Sequence, residues 1–199
     1  MGIYFNPENV DFQKSLNSEI YIDKTELISY TNKKLNTEQG YICVSRPRRF
    51  GKSMAANMLT AYYSRGCDSR KLFQGLKIAT HPDFEKHLNQ YNVIHLNMRD
   101  YLTESENMKQ LIQFVEDDLL DELQQEFSDL RMPRRKTLVK VLEQAFAQYK
   151  IPFVFIIDEW DCIFRVHKSD AVSQKEYLDF LRNLLKDKSY IALAYMTGI

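Results

Sequence analysis

The sequence predicts an α/β fold, a mainly parallel sheet with helices on both faces, and three observations lead there. Apolar segments at 41–45, 93–98, 153–157 and 190–196 read as buried strands. Segments of helical periodicity alternate with them, which is the pattern of a doubly wound sheet. The run 153–157, Phe-Val-Phe-Ile-Ile, is apolar without a break, as a strand must be when helices cover both its faces.

The helical segments follow in order. Met54, Met58, Leu59 and Tyr62 share one face of a helix starting near Gly51. Met108, Leu111, Ile112, Val115, Leu119 and Leu123 mark a long second helix, with Thr103 and Glu106 at capping-box spacing ahead of it. Leu138, Val141, Leu142, Ala145, Phe146 and Tyr149 mark a third, and Tyr177, Phe180, Leu181, Leu184 and Leu185 a fourth. Residues 21–25, Tyr-Ile-Asp-Lys-Thr, read either as a short strand or as a capped turn into a helical segment at 26–30. No repeat or linker divides the chain. The expected organisation is an N-terminal segment over 1–40 packing on a core over 41–199.

Length and composition set the class. With 199 residues, 44% hydrophobic and 27% charged, the chain can bury a core without disulfides or structural metals. Lys plus Arg and Asp plus Glu both total 27, so net charge gives no general attraction to nucleic acid or membrane. The three cysteines show no CxxC spacing and read as reduced thiols, with Cys43 as core packing. No apolar stretch reaches membrane-spanning length, and the N-terminus lacks the pattern of a signal peptide. The expectation is a cytoplasmic protein that does not enter membranes.

The chemistry concentrates in two places. Residues 41–53 run from a buried strand through a short loop that ends in Gly51-Lys52-Ser53 and opens a helix. Backbone N–H groups at such a helix start converge on an anion. Gly51 permits close approach, Lys52 reaches β and γ phosphates, and the Ser53 hydroxyl ligates magnesium. Arg46 stands where the general pattern has its first glycine, and a basic turn is the alternative reading of the loop. Arg48 and Arg49 contact phosphates, or else face solvent or a partner; Phe50 and Met54 complete the candidate nucleotide-binding set. The second place is Asp158-Glu159, at the end of the unbroken apolar run. Asp158 would hold magnesium opposite Ser53, and Glu159 would polarise the attacking water; otherwise the pair caps the next helix. Thr197, near the end of the fourth strand, is a candidate for contact with the γ phosphate or that water, or an ordinary strand-end threonine. The two features in this order predict a P-loop NTPase, a three-layer α/β/α sandwich that takes ATP and Mg2+.

These residues also resemble a known family. Ser45-Arg-Pro-Arg-Arg-Phe-Gly-Lys-Ser53 is similar to the phosphate loop of the bacterial AAA-ATPase-like family, in which arginine at the position of Arg46 is typical. Tyr21-Ile-Asp-Lys-Thr25, Leu72-Phe-Gln-Gly-Leu-Lys-Ile78, Ile157-Asp-Glu-Trp-Asp161 and Thr197-Gly-Ile199 extend the resemblance in order along nearly the whole chain. Trp160 stands where the family has tyrosine. Family members often carry a C-terminal nuclease-like domain of the PD-(D/E)XK kind, to which no residue here corresponds. The resemblance implies an ATPase domain that continues past Ile199, so the sandwich is expected to stop before its last core strand. Strand 41–45 would then be an exposed apolar edge, open to self-association or to a partner chain that completes the sheet.

The leading expectation is an ATP-binding, ATP-hydrolysing module that works as a switch or motor. The alternatives are a module that binds ATP without hydrolysing it in isolation, and a small-molecule kinase. Arg131, Arg134, Arg135 and Lys136 invite a nucleic-acid reading, against which Pro133 marks a solvated loop. Glu116-Asp117-Asp118 reads as the solvent face of the second helix.

Overall fold

The computed structural model describes residues 2–199. Helices α1 (Val10–Leu16) and α2 (Glu26–Asn32) precede strand β1 (Tyr41–Ser45) and helix α3 (Lys52–Tyr63). Short helices α4 (Arg70–Phe73) and α5 (Phe84–His87) lead into β2 (Asn92–Asn97), α6 (Met98–Glu104), α7 (Met108–Glu126) and α8 (Leu138–Tyr149). Strand β3 (Phe153–Asp158), helices α9 (Cys162–Val166) and α10 (Ala171–Leu185), and strand β4 (Ile191–Gly198) complete the order.

The sheet has four strands in the order β1-β4-β3-β2, every pair parallel. Alternation along β3 divides the core. Val154 and Ile156 pack with Leu59, Tyr62 and Tyr195 on the α3 side, while Phe153, Phe155 and Ile157 pack with Leu119, Leu142 and Leu184 on the other. This makes a three-layer α/β/α sandwich. Every residue of β3 is buried, and full burial of each large apolar side chain contributes roughly 1.5–3 kcal/mol.

Several boundaries and caps differ from the sequence reading. Met98 begins α6 rather than ending a strand, because the Asn97 side chain accepts from Arg99 N and caps the helix. Thr103 and Glu106 form no capping box. Thr103 lies inside α6, its hydroxyl donates to Arg99 O, and Asn107 caps α7 by accepting from Gln110 N at 3.0 Å. Residues 21–25 form a turn: Asp23 Oδ1 accepts from the N–H and hydroxyl of Thr25, which precedes α2. Asp118 is not a plain solvent-facing carboxylate, since it accepts from the Tyr101 hydroxyl at 2.9 Å.

The two edges of the sheet are treated differently. The N-terminal segment covers β2: Phe5 bridges Ile94, Asn6 N donates to Val93 O, and His95 N donates to Tyr4 O. The Glu122 carboxylate fixes that segment by accepting from the N–H groups of Ile3, Tyr4 and Phe5. On the other edge, β1 pairs with β4 alone among the described strands. Tyr41, Cys43 and Ser45 are exposed there. Cys43 is therefore not core packing: its side chain is exposed on an edge strand.

Candidate functional site

Because all four strands run parallel, their C-terminal ends lie along one edge of the sheet. The register sets Ser45 beside Gly198 and Asn97 beside Asp158. Open parallel sheets bind ligands at this edge.

The loop from β1 to α3 is shaped by backbone conformations that L side chains rarely adopt. Gly51 has φ 75°, a conformation that favours glycine, and a Cβ there would lie 2.8 Å from Nζ at the flexible end of Lys24. Arg49 shares the left-handed region at φ 69°, at a cost the surrounding contacts must offset. Those contacts are specific. Lys24 Nζ donates to Phe50 O at 2.9 Å. Lys52 Nζ donates to Arg46 O at 2.8 Å and Pro47 O at 3.1 Å, which leaves the lysine almost fully buried beneath the loop. Arg46 N donates to Gly198 O, tying the loop's start to β4. Arg48, Arg49 and Phe50 are exposed on the loop, Ser53 is exposed in the first turn of α3, and Met54 is half-buried beside them. The opening amides of α3, like those of any helix, lack intrahelical acceptors.

Asp158 ends β3 and is only 4% exposed. Its Oδ1 accepts from Glu159 N at 3.0 Å and from the Thr197 hydroxyl, whereas Oδ2 has no hydrogen bond within the described residues. Thr197 is wholly buried on β4, between β1 and β3, and its carbonyl accepts from Trp160 N. The three predicted elements thus sit on adjacent strands: loop on β1, Thr197 on β4, Asp158-Glu159 on β3.

Glu159 has φ 53°, another left-handed position in a non-glycine residue. Its Oε2 is engaged by Arg165 Nη2, from α9. Arg165 Nη2 also lies 3.5 Å from Asp161 Oδ1. Burial disfavours the guanidinium charge, but Glu159 and Asp161 outweigh it and keep Arg165 protonated. Arg165 Nε and Nη1 are buried without a hydrogen-bond partner among the described residues. Burial pushes the neighbouring Cys162 thiol up to about 12, so it is not a nucleophile at neutral pH.

No group of three His, Cys, Asp or Glu converges to hold a metal among the described residues. Mg2+ at nucleotide sites binds through one or two protein oxygens, waters and substrate phosphates. Asp158 Oδ2 and the exposed Ser53 hydroxyl are oxygens of the required kind. The basic residues Arg131, Arg134, Arg135 and Lys136 lie exposed in the loop before α8, away from these elements in the sequence. Reading the sequence missed Arg165 and Arg99 and gave Lys24 no role of its own. The one available signal was the i, i+4 spacing of Asp161 and Arg165 just after the acidic strand end.

A parallel α/β/α sandwich with a left-handed glycine and a buried lysine opening the helix after β1 defines a P-loop nucleotide-binding domain. Within that class the chain belongs to the AAA-ATPase-like family, described as predicted AAA-ATPase, whose model matches residues 10–199. Comparison with curated proteins and with solved structures gave no match. No helix of the described residues is long and apolar enough to cross a membrane.

Proposed function

We propose that this chain binds ATP with Mg2+ at the loop and hydrolyses it, acting as a nucleotide-dependent switch or motor. The observation that carries the reading is the order β1-β4-β3, which sets the glycine loop and Asp158-Glu159 one strand apart with Thr197 between them. The amides at the start of α3, freed for approach by Gly51, would hold phosphate oxygens, with Arg48, Arg49, Phe50 and Met54 framing the nucleotide. Lys52 would exchange its two carbonyl acceptors for phosphate oxygens, a charge-assisted gain. Ser53 and Asp158 Oδ2 would hold Mg2+, which supplies neutralisation of charge on the phosphates. Glu159 would orient and polarise the attacking water, and Thr197 would fix Asp158 and touch the reacting region.

One observation favours a second reading, nucleotide binding without turnover in isolation: Arg165 occupies Glu159. Calorimetry with Mg-ATP on wild type and Lys52→Ala, with phosphate release followed in parallel, separates the two. Binding lost in Lys52→Ala establishes the loop as the site. Turnover lost in Glu159→Gln with binding intact establishes hydrolysis and its base. Well-folded wild type that binds no Mg-ATP would sink the reading.

A further inference from the structure

A second feature of this edge is unexplained by the nucleotide reading. Three arginines from three different elements, Arg48 of the loop, Arg99 of α6 and Arg165 of α9, line one pocket of about 410 Å³. Leu102, Cys162 and Val166 form its apolar wall, and no carboxylate lines it. Neither Arg48 nor Arg99 makes an ion pair among the described residues, and both side chains are exposed. Arg165 Nη2 is held by Glu159, while its buried Nε and Nη1 have no hydrogen-bond partner among the described residues. Glu159 and Asp161 balance Arg165, but Arg48 and Arg99 have no ion-pair partner among the described residues, and like charges brought to one pocket repel one another. That repulsion is relieved by one kind of occupant, an anion with several acceptor oxygens. Guanidinium forks match phosphate oxygens in geometry and charge. The volume also falls in the range of small-molecule sites and exceeds what a bare phosphate fills.

We propose that Arg48, Arg99 and Arg165 form a phosphate-binding site at the C-terminal edge of the sheet, on the β2–β3 side of the loop. Its ligand is a phosphate group, carried either by a separate phosphorylated small molecule or by the terminal phosphate of a loop-bound nucleotide. Arg48 is common to this site and to the proposed nucleotide site; Arg99 belongs to this one alone. Because Arg165 also holds Glu159, an anion here competes for the same guanidinium.

The test is titration of inorganic phosphate into the full chain, followed by calorimetry at low salt, for wild type and Arg99→Gln. Arg99 is exposed, so the variant is expected to melt at the wild-type temperature; Arg48→Gln is the second probe. Phosphate affinity is expected to fall on the order of tenfold or more in each variant, as for loss of one charge-assisted hydrogen bond. Absence of phosphate binding by wild type, or an affinity in both arginine variants unchanged from that of wild type, would overturn the proposal. Repeating the titration with a non-hydrolysable ATP analogue or ADP names the source. Loss of phosphate binding with the triphosphate alone assigns the nucleotide's terminal phosphate, and binding that survives both assigns a separate ligand. The arginine comparison needs no nucleotide, so it stands even if ATP does not bind.

Discussion

Arg165 and Glu159 are joined in an ion pair at the end of β3, and the pair takes up the carboxylate proposed to polarise water. A carboxylate oxygen held by a guanidinium is not free to accept a hydrogen bond from an attacking water. Arg165→Gln is therefore expected to raise steady-state phosphate release severalfold with little change in Mg-ATP affinity. Glu159→Gln should abolish release in either background. Lower turnover in Arg165→Gln would instead make Arg165 the residue that orients Glu159.

Gly51 is constrained by its left-handed φ, and a Cβ there would stand 2.8 Å from Lys24 Nζ, which would have to move aside. Gly51→Ala should cost roughly 1–2 kcal/mol from backbone strain alone, and it should displace Lys24 from Phe50 O. Lys24→Met removes that bond without the strain. Denaturant unfolding should show a clear loss for the glycine variant and a small one for Lys24→Met, while both weaken Mg-ATP binding.

Much of this architecture was legible from residues alone, for physical reasons. An unbroken apolar strand has one stable home, the middle of a parallel sheet, so β3 and the carboxylates at its end could be placed directly. The glycine-lysine-serine sequence likewise demands a strand, a turn and a helix start. Other features were illegible because they depend on neighbours distant in sequence. Cys43 sits in a run as apolar as a buried strand, and only the strand order shows it to be exposed. Thr103 and Glu106 have capping-box spacing, but α6 claims Thr103 and a nearer Asn107 caps α7. Arg48, Arg99 and Arg165 are far apart in the chain, and no spacing rule brings them to one pocket.

The open edge of β1 leads to a prediction about association. Among the described residues its outer side pairs with no other strand, and Tyr41 and Cys43 are exposed along it, whereas the opposite edge is covered by the N-terminal segment. Such an edge is a template for another strand. The wild-type chain is expected to self-associate with rising concentration in sedimentation velocity. Cys43→Lys, which places a charge on the exposed edge strand, should shift it toward monomer. A wild type that stays monomeric at high concentration would count against an adhesive edge.

Stability should also depend on pH through His95. Burial lowers its pKa below the ordinary value of 6.5, opposed by the charges of Asp158 and Asp11. The folded state then binds fewer protons than the unfolded state in that window. The stabilisation is complete above pH 6.5 and is lost as pH falls from there through the lowered folded value. Burial, followed by the Lys86 charge, lowers His87 in the same direction. His95→Gln should flatten the fall in unfolding free energy on acidification from pH 6.5, and His87→Gln should remove part of the remainder. An unchanged slope in His95→Gln would mean that the histidine ionises freely in the folded chain.

Thr197 provides the most discriminating test of how the edge is held together. It is wholly buried, and its hydroxyl donates to Asp158 Oδ1. Thr197→Val keeps the shape but leaves that oxygen with only Glu159 N. A buried acceptor stripped of a partner costs about 1–3 kcal/mol. Thr197→Ser retains the hydroxyl and loses only a methyl group, so its destabilisation should be smaller. If Thr197 acts purely on the fold, Mg-ATP affinity in the two variants will track their stabilities. If it also positions Asp158 for Mg2+, Thr197→Val will require a higher Mg2+ concentration for binding even where it is fully folded, and Thr197→Ser will not. Measuring Mg2+ dependence at a temperature well below both melting transitions separates these outcomes, because there the unfolded fraction no longer contributes to the apparent affinity.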